Sequence, residues 1–219
     1  MSGETTLSIA VGDGAVTAIA SEPEEAARAT FLYTPGAGSN VHDPFGKQLC
    51  RELATHGVRA IRFQFPYQEA RRRSPDRPLV LEETWRAAID QLAGEATVVG
   101  GRSMGGRIAS QVVAEGAAVA GVALFAYPLH PPGKPERRRD GHLTAIAVPT
   151  LFCSGTRDVF ASPDELTDAA ALVAGSTVRH MESADHGFNA PKSSGRTRED
   201  VYAEATAAFV EWLGVEGLL

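Results

Sequence analysis

Short apolar runs alternate with longer amphipathic stretches along the whole chain, the pattern of β-α units wrapped around a mostly parallel sheet. The opening LSIAVGDGAVTAIA reads as two short strands joined by a turn at Gly12-Asp13-Gly14. A strand is expected from Thr30 to Thr34, then a glycine turn, then a helix from Asp43 to His56 that Gly57 ends. Val58 to Phe63 is apolar apart from Arg59 and Arg62 and reads as the next strand. An Arg- and Pro-rich loop follows to Pro78, then a helix from Leu79 to Leu92. Ala96 to Gly100 predicts a strand, Gly101 to Gly106 a tight turn, and Ile108 to Ala114 a helix. Beyond it come a buried strand (Val119 to Ala126), a second basic loop to Gly141, a strand (Pro149 to Cys153), a helix (Asp164 to Val173) and a last strand (Thr177 to Met181). A loop from Ala184 to Gly195 leads into a final helix, Arg198 to Trp212. No repeat, heptad or long linker divides the 219 residues, so one α/β domain spanning 1–219 is expected.

Composition narrows this only a little. Hydrophobic residues at 43% and charged residues at 22% suit a globular protein with a well-filled core. A net charge of −6 argues against nucleic acid or an anionic membrane as partner. The longest apolar run, Ala117 to Tyr127, is about half the length of a membrane span, and the first residues carry no signal-peptide pattern. Two cysteines, Cys50 and Cys153, fall in an expected helix and an expected buried strand. They make no disulfide framework, and a cytoplasmic location is the expectation.

The candidate chemistry begins at Gly101-Arg102-Ser103-Met104-Gly105, a G-x-S-x-G set between a strand and a helix. A strand that turns sharply into a helix there leaves the serine oxygen above the sheet, and larger flanking residues would collide. The free N–H groups of the helix start point at the same place. Ser103 is thus the candidate nucleophile. It needs a base oriented by a carboxylate. Of the six histidines, His186 lies between the last strand and the final helix. His180 falls inside a strand, His56 at a helix end, and His42, His130 and His142 in loops. For the acid, Asp158 follows a strand in Ser154-Gly155-Thr156-Arg157-Asp158; its competitor Asp185 adjoins the histidine and would point away from the ring. The oxyanion donors expected are the N–H of Met104 and, from the loop Thr34-Pro35-Gly36-Ala37-Gly38, the N–H of Ala37.

These residues resemble the α/β-hydrolase superfamily, and within it the small cap-less branch related to dienelactone hydrolases. The resemblance rests on Pro35-Gly36-Ala37-Gly38, Arg62-Phe63-Gln64-Phe65-Pro66-Tyr67, Gly100-Gly101-Arg102-Ser103-Met104-Gly105-Gly106-Arg107, His130-Pro131-Pro132-Gly133-Lys134 and Asp185-His186-Gly187. It implies a mostly parallel sheet of seven or eight strands flanked by helices, without a large cap domain. It also implies an order Ser103, Asp158, His186 for a catalytic triad, and no cofactor. Two departures stand out. Many relatives carry His-Gly where this chain has Pro35-Gly36, and dienelactone hydrolases carry cysteine where it has Ser103. Some members of the branch are subunits of larger assemblies, so a catalytically silent interaction module is the competing reading.

Two basic loops bear on the substrate. Arg62 to Arg77 carries a net charge of +3 and Lys134 to Asp140 a net charge of +2. Both follow strands that should end at the catalytic edge. An acyl substrate with a carboxylate or phosphate is the expectation from these arginines, and Tyr67, Arg72, Arg102 and His130 are the residues expected to contact it. Solvated arginines paired with neighbouring acids are the other reading. Small esters or thioesters suit the short connections, which leave little room for a lid. A dinucleotide site fails because Val41 stands where a third glycine is needed. A phosphate loop fails at Gly46-Lys47-Gln48, and no His or Cys pair shows metal-ligand spacing.

Overall fold

The computed structural model describes residues 3–94 and 96–219. Eight strands form one sheet in these residues: β1 (Glu4–Val11), β2 (Gly14–Ser21), β3 (Ala29–Thr34), β4 (Val58–Phe63), β5 (Thr97–Arg102), β6 (Gly121–Phe125), β7 (Thr150–Gly155) and β8 (Thr177–Met181). Their spatial order is β1-β2-β4-β3-β5-β6-β7-β8. The first two pair as a hairpin and β2 runs antiparallel to β4; from β4 to β8 every pairing is parallel. The helices among the described residues are α1 (Pro44–Thr55), α2 (Pro66–Glu69), α3 (Pro78–Leu92), α4 (Met104–Ala114), α5 (Pro163–Ala170) and α6 (Arg198–Val215). No large cap domain interrupts them, and none of the described helices is long and apolar enough to cross a membrane.

The central strands are buried on both faces, which explains why they read as continuous apolar runs rather than alternating ones. Within each, successive side chains still divide between two cores. Leu32, Val99, Val122, Leu124 and Phe152 face the core under α3, α4 and α5. Phe31, Tyr33, Val98, Phe125 and Leu151 face the core under α1 and α6. Phe45 of α1 centres the second core, its ring about 5 Å from those of Phe125, Phe188 and Tyr202. Cys50 and Cys153 are both buried there and unpaired, and burial pushes each thiol up to about 12.

The structure departs from the expected elements where glycines or prolines crowd the chain. The turn expected over Gly101 to Gly106 shrinks to Ser103: β5 continues to Arg102 and α4 begins at Met104. Glycine's low helix propensity suggests a loop there, but close packing of Gly105 against the end of β3 and of Gly106 against β5 and β6 holds them in the first turn of α4. The loop after β4 contains the short helix α2, which Pro66 opens at its first position.

Candidate active site

Parallel strands deliver their carboxyl ends to one edge of the sheet, and the loops that leave those ends share a crevice. β3 leads to residues 35–40, β5 to Ser103, β7 to Asp158 and β8 to His186. Thr34 at the end of β3 pairs with Gly101 of β5, so the first two of these loops begin side by side.

Ser103 sits in the left-handed region, with φ 52 and ψ −121. Its N–H is held by the carbonyl of Phe125 at 2.8 Å. Two glycines make the turn possible. A Cβ on Gly101 would run into the Thr34 carbonyl, and one on Gly105 into the backbone oxygens of Thr34 and Pro35. Gly36 sits over the serine, where a Cβ would lie 3.4 Å from that of Ser103.

His186 bridges Ser103 and Asp158. Its Nε2 lies 2.9 Å from Ser103 Oγ, and its Nδ1 lies 2.8 and 3.0 Å from the two oxygens of Asp158. The Asp158 side chain is fully buried. Besides the imidazole it accepts the Ser154 hydroxyl at 3.0 Å and the Phe160 N–H at 2.8 Å. Those contacts hold both carboxylate oxygens in place, and a carboxylate on Nδ1 leaves Nε2 free to accept a proton from the serine. The Phe160 ring lies against the imidazole with centroids 4.0 Å apart. Asp185 does not compete for the ring: it accepts the N–H groups of Gly187 and Asn189, at 2.8 Å each, and shapes its own turn. Phe188 anchors that turn in the α1–α6 core.

Met104 opens α4, where its N–H has no partner within the helix. Among the described residues no protein acceptor meets that N–H or the N–H of Ala37. Both donors are therefore unengaged, one on the residue after Ser103 and one on the residue after Gly36, which packs over the serine.

The residues expected to contact substrate fall out differently. Tyr67 is buried, and its hydroxyl donates to the Ala37 carbonyl at 2.8 Å, so it supports the β3 loop while also lining the cleft beside it. His130 is buried as well: Nδ1 lies 3.0 Å from the Pro131 carbonyl and Nε2 3.3 Å from Glu165, which ties the loop after β6 to α5. The Arg102 guanidinium lies 5.9 Å over the Phe188 ring, with Nη1 3.5 Å from Asp43. Arg62, counted in the first basic loop, is enclosed at 1% exposure and bonded to the Val41 carbonyl and Glu4. Of this group Arg72 is the most exposed and pairs with Asp76, while Arg102 is partly exposed beside Ser103. Together with Tyr67, Gln68, Arg71 and Arg73, Arg72 lines a cleft of about 320 Å³ that also touches Ala37 and Gly38. Residue type alone gave no sign of Gln68, Ser154 or Phe160, whose parts depend on contacts between distant segments.

Residues 27–214 match the α/β-hydrolase domain family. The chain belongs to that family. Solved α/β-hydrolases share its fold over nearly the full length. A dienelactone hydrolase from Anabaena variabilis is 20% identical, with a TM-score of 0.75 and 97% of each chain covered. A lid-less serine hydrolase from Xanthomonas campestris is 17% identical, with a TM-score of 0.73 over 95% of this chain and 94% of that one. Est1E from Butyrivibrio proteoclasticus is 12% identical, with a TM-score of 0.76 over 95% of this chain and 99% of that one. The α/β-hydrolase architecture of this chain carries no large cap domain.

Proposed function

We propose that the protein is a serine hydrolase acting on small ester or thioester substrates through an acyl-enzyme intermediate. The observation that carries this reading is the His186 ring, within 3.0 Å of Ser103 Oγ on one side and of both Asp158 oxygens on the other. In the first half-reaction Ser103 Oγ bonds to the acyl carbon and its proton passes to His186 Nε2. The N–H groups of Ala37 and Met104 take the negative charge of the tetrahedral oxygen. The bond to the leaving group breaks, and that group departs with the proton from His186. A water then repeats the sequence in the second half-reaction: His186 takes its proton, its oxygen joins the acyl carbon, and Ser103 leaves with the proton restored.

The cleft lined by Arg71, Arg72 and Arg73 supports an acyl or leaving group that carries a carboxylate or phosphate. The absence of a cap favours small, soluble substrates.

A fluorophosphonate probe with peptide mapping tests the central claim, alongside Ser103→Ala and His186→Ala. Labelling at Ser103 that disappears in the first variant and falls steeply in the second is the expected result. Folded wild-type protein that stays unlabelled would refute hydrolysis and leave an interaction module as the better reading. An ester panel at low and high salt tests the charge preference: equal rates for anionic and neutral esters, independent of salt, would remove it.

A further inference from the structure

The β3 loop that carries Ala37 has no regular structure of its own, yet its backbone is gripped from one side. Four of its carbonyls, those of Gly36, Ala37, Ser39 and Val41, accept side chains from the segment between Arg62 and Gln68. Gln68 holds two of them. Its Nε2 donates to Ser39 O at 2.6 Å and to Gly36 O at 3.2 Å, while its Oε1 accepts the Phe65 N–H at 2.8 Å. The amide therefore has one orientation, because the oxygen faces a donor and the nitrogen faces two acceptors.

In a trans peptide group the C=O and the N–H point in opposite directions, and no described peptide is cis. The Gly36 carbonyl belongs to the same peptide plane as the Ala37 N–H. Pinning that carbonyl to Gln68, with the Ser39 N–H adding a 3.1 Å bond, turns the Ala37 N–H the other way. The next plane is pinned by the Tyr67 hydroxyl on the Ala37 carbonyl. Burial, with Asp76 adding to it, pushes the Tyr67 hydroxyl up to about 12, so it remains a donor at any working pH.

We propose that Gln68 and Tyr67 are positioning residues, which set the peptide planes of the oxyanion loop so that the Ala37 N–H is aimed before substrate arrives. This rests on the hydrolase reading above. Neither side chain touches the reacting atoms; each acts through the carbonyl it holds. A preorganised donor contributes to the transition state more than to substrate binding, and a small misplacement of one removes much of that gain.

Gln68→Met keeps the length and loses the donors; Tyr67→Phe loses only the hydroxyl. In ester hydrolysis each should lower kcat by about ten- to a hundredfold while KM stays within about twofold. The acid limb of the pH profile should not move, since the His186–Asp158 pair is untouched. A general loosening of the fold would instead lower the melting temperature and raise KM. A folded Gln68→Met enzyme with wild-type kcat would overturn the proposal. If that variant does not fold, an undiminished kcat in Tyr67→Phe overturns it instead. A wild type that neither labels at Ser103 nor hydrolyses any ester brings down the hydrolase reading and this one with it; a working wild type with unaffected variants brings down this one alone.

Discussion

Ser103 is one of six described non-glycine residues with positive φ, a conformation that costs on the order of 1–3 kcal/mol and persists only where the surroundings hold it. Here they do so through the Phe125 carbonyl on its N–H and through glycines that let β3 and the start of α4 close on the turn. The atoms a Cβ on Gly105 would strike are backbone oxygens, which cannot rotate away. Gly105→Ala should therefore destabilise the protein by about 1–3 kcal/mol, as overpacking does, a fall of about 2–12 °C in melting temperature for a chain of this size. It should also slow labelling of Ser103, because Thr34 and Pro35 lead directly into the loop that carries Ala37. An unchanged melting temperature would show that the contact can relax.

Among the elements, α1 braces the site although it supplies none of the reacting groups. Its N-cap, Asp43, is buried at 3% exposure and accepts the Gly46 N–H at 2.9 Å, the Tyr33 hydroxyl at 2.8 Å and the Ser39 hydroxyl at 3.2 Å. It also faces Arg102. The carboxylate thus joins β3, the loop beside Ser103 and the helix that fills the second core. Burial, then the negative charge of Asp43, pushes the Tyr33 hydroxyl well above its ordinary value, so it stays a donor. Asp43→Ala removes the cap and strands a buried hydroxyl, a loss of about 2–4 kcal/mol. Asp43→Asn keeps one oxygen as acceptor and should cost less. Urea unfolding of the two variants checks this, and equal losses would mean that these hydrogen bonds contribute little. The position of this helix was legible in advance, since the expected helix begins at Asp43. The grip of α2 on the β3 loop was not, because Gln68 and Gly36 stand 32 positions apart and no local periodicity links them.

For the molecule as a whole, the displaced side-chain equilibria give stability a direction in pH. Burial lowers the affinity of His142 for a proton, and Arg107 lowers it further, against the weaker pull of Asp140 and Glu115. Its Nε2 lies 2.8 Å from the Ser110 hydroxyl. Its folded value is below the ordinary 6.5, so the unfolded chain binds the proton more readily and stability falls as pH drops below that value. Glu4 and Glu69 add a second decline. Burial would raise both, but hydrogen bonds from Arg51 and Arg62 to Glu4, and from Gln64 and Thr17 to Glu69, outweigh it. Their stabilisation is complete above 4.5, the ordinary value for these groups, and is lost as pH falls through the lowered ones. Melting temperatures should thus be level between neutrality and pH 9.0, the ordinary cysteine value, and decline in two stages on the acid side. They should fall again at higher pH, where the unfolded chain releases the thiol protons that burial retains in the fold. His142→Gln should flatten the first acid stage. A wild type more stable at mildly acidic than at neutral pH would contradict this.

What the sequence determined by itself is what repeats along a backbone. Apolar runs of strand length between amphipathic stretches place the elements, and a parallel sheet sends the end of every such strand to one edge. Ser103, Asp158 and His186 could be named because each follows a strand closely, so the regular geometry that places the strand also places the residue. Tyr67, Arg102 and His130 were assigned to the substrate, and each also has a partner inside the protein, the Ala37 carbonyl, Asp43 and Glu165 respectively. A loop residue's direction depends on what packs against it from remote parts of the chain. Only the tertiary structure could decide that Arg62 is buried against Glu4, that His130 joins α5, and that Gln68 holds the loop above Ser103.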